Sequence, residues 1–260
     1  TKIKNEIFKK NKDNNYSGKI MTTFLGSEIK IDYDIIDNVI FLSSDRSIIK
    51  RKKFDFNGKI NKSPFYFDIN IGLEAADGIK LIKNFFEISN LLRKNILLNE
   101  KFNGKMLINI DSLKRIQLFD QAKINLYFFN GEFFLKDTFF SADKIGKLKF
   151  IDAKLLELDN QQLIKAKILF KIYDQNKFYQ KLQIPKNNRI KIRDAYFEIE
   201  KNINTDSIRI NKFLLNSNIK NHPSYKIIDL TDLIHSSELK MLKNWIEIKK
   251  FSNQIFSQIN

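Results

Sequence analysis

The sequence predicts a mainly β protein: a meander-like antiparallel sheet with one internal and one C-terminal amphipathic helix. Three observations predict it. Apolar and polar residues alternate with period two along much of the chain, Asn-Gly pairs stand between apolar runs, and in two stretches the apolar spacing lengthens to that of a helix.

The alternation begins with Ile29-Lys30-Ile31-Asp32-Tyr33 and returns in Phe65-Tyr66-Phe67-Asp68-Ile69-Asn70-Ile71. Met106, Ile108 and Ile110 then alternate with Lys105, Leu107 and Asn109. The cleanest run sets Ile164, Ala166, Ile168, Phe170 and Ile172 against Lys165, Lys167, Leu169 and Lys171. Ile190-Lys191-Ile192 and Ile208-Arg209-Ile210 repeat the pattern. Successive strand side chains point to opposite faces, so each stretch carries one apolar and one largely polar face. That is the signature of an antiparallel sheet with a wetted side; a buried parallel sheet would read as continuous apolar runs.

Turn chemistry supports the same class. Asn57-Gly58, Asn103-Gly104 and Asn130-Gly131 each precede a charged and then an apolar residue. Both residue types tolerate the positive φ of tight hairpins, so all three pairs are expected as hairpin turns. The clearest hairpin joins Ile124–Phe129 to Glu132–Leu135 through Asn130-Gly131.

Residues 78–97 place Leu81, Ile82, Phe85, Phe86, Ile88, Leu91 and Leu92 at helical intervals, with Lys80, Lys83, Asn84, Glu87, Asn90 and Lys94 on the other side. A second helix is expected from Ser236 to Ile259, with Ser236 or Ser237 as N-cap and a loose stripe of Leu239, Leu242, Ile246, Phe251, Ile255 and Ile259. These elements divide the chain into a β domain over 1–220, with the helix near 78–97 inserted in it, and a C-terminal turn and helix over 221–260.

At 260 residues and 43% hydrophobic, the chain is long and apolar enough to build a core. Its formal charge of +16 raises nucleic acid or an anionic membrane as partner. Only seven of the 46 basic residues are Arg, however, and Lys is spread almost evenly. Nucleic-acid readers lean on clustered Arg, so nucleic acid is not the favoured partner; a basic β module for nucleic acid or a protein is the alternative reading. The densest basic run, Lys50-Arg51-Lys52-Lys53, reads as a solvated loop. With no cysteine there are no disulfides, thiolate metal ligands or cysteine nucleophiles.

Catalytic patterns are missing. His222 and His235 lack the spacing of a metal or metalloprotease motif, and no nucleophile elbow or glycine-rich phosphate loop occurs. Glu198 and Glu200 share one side of a strand, where lysines across the ladder are the simpler partners. The pairs Phe85-Phe86, Phe128-Phe129, Phe133-Phe134 and Phe139-Phe140 read as core or lipid contacts; stacking platforms for bases are interleaved with Arg and Gly, which are scarce here. The expectation is a non-enzymatic binding or carrier protein with neither cofactor nor metal.

Several segments carry a family resemblance. Asn103-Gly104-Lys105-Met106-Leu107-Ile108-Asn109-Ile110, Phe129–Asp137 and Gly146-Lys147-Leu148 are short strands with Gly-Lys-apolar starts. Phe178–Lys186 followed by Arg189-Ile190-Lys191-Ile192 is similar in style. Over roughly residues 16–218 the succession resembles the C-terminal region of the AsmA-like family. The resemblance implies an envelope protein of diderm bacteria, periplasmic and tethered to the inner membrane. It also implies a long, curved sheet whose apolar groove carries phospholipid, contributing to outer-membrane biogenesis, with no catalytic residues. The chain starts at Thr1 without a signal-peptide pattern, so the anchor is expected to lie outside it.

The residues alone lead to a similar place. A one-layer sheet with an apolar face needs helices, a second sheet or lipid over that face. The candidate lipid-facing residues are Ile124, Leu126 and Phe128 on one strand and Ile168, Phe170 and Ile172 on another. An ordinary sandwich core would use the same residues, and the alternation alone leaves both readings open.

Overall fold

The structure, a computed structural model, describes residues 2–10, 15–24, 27–49, 51–78, 99–142, 144–158, 161–202, 208–218, 226–232 and 245–259. It is mainly β, with 66% of residues in strands. The N-terminal strands form an uninterrupted meander: β1 (Lys2–Lys10), β2 (Asn15–Phe24), β3 (Ser27–Ile36), β4 (Val39–Ile49), β5 (Lys52–Lys62) and β6 (Phe65–Leu73). Each pairs antiparallel with the next. The short strands β7 (Ala76–Asp77) and β9 (Leu113–Lys114) form a separate two-stranded ribbon.

The sheet resumes with β8 (Asn103–Ile110) and β10 (Gln121–Phe129), then β11 (Glu132–Leu135), β12 (Phe139–Ala142), β13 (Gly146–Leu158) and β14 (Gln161–Ile172). It ends with β15 (Lys191–Asn202), β16 (Ile208–Asn218) and β17 (Lys226–Asp229), so it continues past residue 220. Fifteen strands share this one sheet among the described residues.

One junction departs from the meander. β6 and β8 are parallel, with Phe67 opposite Gly104 and Ile71 opposite Ile108. A parallel pair needs a long crossover rather than a hairpin, and residues 74–102 supply it. The helix expected over 78–97 falls on this crossover and lies almost wholly outside the described residues.

This junction corrects one of the expected turns. Asn103-Gly104 opens β8 instead of turning a hairpin, because Gly104 answers a packing need. A Cβ there would stand 2.4 Å from the Phe67 ring and 2.5 Å from the Phe67 carbonyl oxygen. Asn57-Gly58 is likewise no turn but sits inside β5, where a Cβ would meet the Asp68 carbonyl at 2.5 Å. Glycine in a strand marks such close approaches as readily as it marks turns. Asn130-Gly131 does turn: φ is 49° and 75°, both positive as a two-residue primed turn requires, and Phe128 pairs with Phe133 across it. Arg51, with φ of 68°, occupies the β4–β5 turn, and Lys52 and Lys53 are exposed beside it.

Two hydroxyls repair breaks in the ladders. The β3–β4 register shifts between Glu28 and Asp32, and there the Ser47 Oγ accepts from the Lys30 N–H at 2.8 Å and donates to its carbonyl at 3.2 Å. Where β11 gives way to β12 beside β10, the Thr138 Oγ1 accepts from the Asn125 N–H (2.9 Å) and donates to the Asn125 carbonyl (3.3 Å). Both side chains are buried, so each replaces ladder bonds that water cannot supply.

The described internal helix is α1 (Gln175–Leu182), in a segment the resemblance grouped with strands. The Asp174 carboxylate caps its start by accepting from the Lys177 N–H at 3.0 Å, Gln183 ends it in the left-handed region, and Pro185 follows. Phe178, Tyr179 and Leu182 are buried, and the Tyr179 hydroxyl donates to the Ile190 carbonyl. α2 (Trp245–Ile259) forms the described part of the expected C-terminal helix. It buries Ile255 and Phe256, and its Asn253 donates to the Leu182 carbonyl at the end of α1.

Candidate functional site

The register turns the strand alternation into a single surface. In an antiparallel ladder, paired residues point to the same side. Ile35 and Tyr33 of β3 pair with Ile40 and Leu42 of β4, which face Ile60 and Gly58 of β5; on the same side of β5, Phe56 and Phe54 face the buried Ser44 and Ser47 of β4. The pairing continues to Phe67, Ile71 and Leu73 of β6, then to Ile108 and Ile110 of β8 and Ile124 and Ala122 of β10. Phe140, Leu148, Phe170, Ala195 and Leu215 carry the same face across β12 to β16. One apolar face therefore runs from β2 to β17.

Protein covers this face unevenly. The six residues singled out above lie in its C-terminal half, and all are buried, between 5% and 8% exposed. Phe128 packs among Phe67, Phe102 and Phe133 at ring separations of 5.2–5.7 Å. Phe170 is held between Phe119 and Phe178 at 5.7 and 5.6 Å. The structure thus brings both triplets into one core, closed over by α1, α2 and the segment before β10.

Toward the N-terminus the core thins out. It takes in Ile60, Ile69 and Leu73 as partly buried neighbours, but no described side chain of β2–β4. Ile29, Ile31, Tyr33, Ile35, Ile40 and Leu42 are half-exposed, as are Phe54 and Phe56, whose rings lie side by side on β5, tilted at 46° with centroids 5.6 Å apart. The Tyr33 ring lies over Gly18 of β2, where a Cβ would stand 2.4 Å from the ring. Sequence reasoning recorded the alternation of β3 without naming these residues as a surface. The signal that distinguishes them is the register, which comes only with the structure.

The other face is polar. Asp32, Ser43, Asn57 and Asn70 form one cross-strand row; Asp34, Phe41, Lys59 and Asp68 form the next. Lys105 continues the second row, and its 3.0 Å contact with Asp68 raises the ammonium pKa above its usual value. The expected lysine partners of the Glu pair are present: Lys165 lies 3.3 Å from Glu200, and Lys167 stands opposite Glu198. Glu198 also accepts from the Tyr196 hydroxyl at 2.8 Å. Partial burial, reinforced by that carboxylate, pushes the Tyr196 hydroxyl up to about 12. The aromatic pairs divide between the two faces, with Phe133 in the core and Phe134 stacked on Tyr127 outside.

His222, His235 and Phe85-Phe86 lie outside the described residues. Among the described residues no three His, Asp or Glu side chains are placed to hold a metal ion, and no helix is long and apolar enough to cross a membrane. No protein family, curated protein or solved structure matches this chain, so the AsmA-like resemblance stands on its residue patterns alone.

Proposed function

We propose that this protein is a non-enzymatic carrier that holds phospholipid by its acyl chains along the apolar face of its sheet. The observation that carries the reading is the continuity of that face: it leaves the closed core at β6 and continues, half-exposed, across β5, β4, β3 and β2. An apolar strip of this extent needs a cover, and an acyl chain supplies one at about 0.8 kcal/mol per buried methylene. On this reading Ile124, Leu126, Phe128, Ile168, Phe170 and Ile172 form the closed end of the strip, and Ile31, Tyr33, Leu42 and Phe56 line the part that takes lipid. The AsmA-like resemblance supports the same ligand. It adds a periplasmic setting, a tether to the inner membrane through a segment outside this chain, and a part in outer-membrane biogenesis.

The test is lipid extraction and native mass spectrometry on protein purified without detergent. Bound phospholipid is expected, and it should be lost in Leu42→Asp while the variant keeps its far-UV spectrum and cooperative unfolding. Lipid-free wild-type protein, or a Leu42→Asp variant that keeps its full complement of lipid, would overturn the reading.

A further inference from the structure

On the outer side of the sheet, β13 and β14 place lysines against each other. Lys147 is directly opposite Lys171, and the next pair on that side of the ladder sets Lys149 against Leu169. Farther along, Lys154 opposes Lys165, whose charge the Glu200 carboxylate 3.3 Å away offsets. Like charges directly across a ladder are destabilising. Lys123 of β10 belongs to the same field, being joined to Lys149 through Phe139, which pairs with both. Of the nearby acids, Asp194 is shared with groups outside the field, and Asp137 offsets Lys149 alone. Asp194, opposite Lys171 on β15, accepts from Arg193 at 3.0 Å and Asn216 at 3.2 Å, and Asp137 approaches Lys149 at 3.7 Å. Lys147 lies over the Phe139 ring, 3.7 Å from its centroid.

Two apolar side chains stand exposed within this basic field. Tyr173, two residues beyond Lys171, is 59% exposed. Ile151, at the bulge that shifts the β13–β14 register, is 52% exposed. A tyrosine with a free apolar ring and a polar tip suits the headgroup level of a bilayer.

We propose that this outer face, centred on Lys147 and Lys171, docks the protein on an anionic lipid surface. The charge is supplied mainly by lysine, at Lys123, Lys147, Lys149 and Lys171; the bordering Arg193 is paired with Asp194. Lysine ammoniums act as point charges toward a diffuse anionic surface, whereas bidentate readout of bases or phosphates favours Arg. An anionic surface also removes the cost of the opposed lysines, which the isolated protein bears.

Vesicle co-sedimentation tests this. The full chain is mixed with vesicles of pure phosphatidylcholine, or with vesicles in which part of it is replaced by phosphatidylglycerol, at low and high salt. Binding is expected to the anionic vesicles alone, falling as salt rises. Each juxtamembrane lysine contributes about five-fold, so Lys147→Gln with Lys171→Gln should weaken binding by roughly 25-fold. The same pair of changes relieves the ladder repulsion, so the thermal midpoint should hold or rise. A merely structural role would lower the midpoint and leave vesicle affinity unchanged. Phospholipid retained on the apolar face reports separately on the carrier reading and should be unaffected by the double variant. Equal binding to neutral vesicles, unaltered affinity in the double variant, or tighter binding to duplex DNA than to anionic vesicles would overturn the proposal.

Discussion

Truncating one phenylalanine in each half of the apolar face separates the closed core from the open strip. Phe170 is 6% exposed and gripped between Phe119 and Phe178, and its ring edge comes within 3.0 Å of where a Gly146 Cβ would sit. Phe170→Ala removes these contacts and leaves a void that rigid strands cannot collapse, so it should cost about 3–5 kcal/mol. Phe56 is half-exposed, with Phe54 as its aromatic neighbour. Phe56→Ala loses part of the area term and opens no enclosed void, so it should cost about 1–2 kcal/mol. Urea unfolding of delipidated protein, followed by far-UV circular dichroism, measures both against wild type. If Phe170→Ala does not fold, Phe170→Leu supplies a milder truncation at the same place. The lipid content should move the other way, dropping in Phe56→Ala and holding in the Phe170 variant. Equal destabilisation at the two positions would show that the β2–β6 face is as closed as the core, and the open strip would fall with it.

Gly104→Ala probes the parallel junction: the new Cβ would meet both the Phe67 ring and the Phe67 carbonyl oxygen. Because the backbone atom cannot yield without disturbing the β6–β8 ladder, a loss of about 1–3 kcal/mol is expected in urea unfolding, and wild-type stability would refute the close-approach account of this glycine. Acid unfolding tests the α1 cap. The Lys177 N–H holds the Asp174 carboxyl below its ordinary value near 3.8, so its contribution is present above that value and is lost as pH falls toward the lower folded value. Asp174→Asn keeps an acceptor without the charge, so its stability should fall less steeply below pH about 3.8 than that of wild type; superimposable acid profiles would refute the assignment.

Strand content was legible because the β pleat writes itself into sequence as alternation. Ile164 to Ile172 and Met106 to Ile110 are strands, as their spacing predicts. The Asn-Gly signal was ambiguous for a physical reason: the same freedom that admits positive φ at Gly131 admits a neighbouring ring or carbonyl at Gly104 and Gly58. α1 was missed because eight residues carry too little periodicity, and its evidence lies in the Asp174 cap and the Pro185 stop. The parallel β6–β8 pair was invisible, since strand direction depends on what the crossover does and not on the strand's own residues. For the candidate surface, alternation identified which residues share a face. Which part of that face is covered depends on long-range packing by α1 and α2, and no local pattern encodes it.

The two proposed surfaces lie on opposite sides of one sheet, and the strand order determines how far apart they are. From β4, central to the open apolar strip, the sheet passes through β5, β6, β8, β10 and β11 before reaching β13. Those are six steps of about 4.8 Å, or about 29 Å along the sheet. An anionic bilayer engaged by Lys147 and Lys171 would therefore lie against the C-terminal half, where the apolar face behind the lysines is sealed by protein. The half-exposed strip would remain clear of the docking face and on its other side. Acyl chains would then enter over a strand end or edge of the N-terminal half, not through the ladder, whose backbone bonds leave no passage. The two roles should accordingly fail independently. Charge reversal at Lys147 should weaken docking without emptying the strip, and Leu42→Asp should empty the strip without releasing the protein from anionic vesicles.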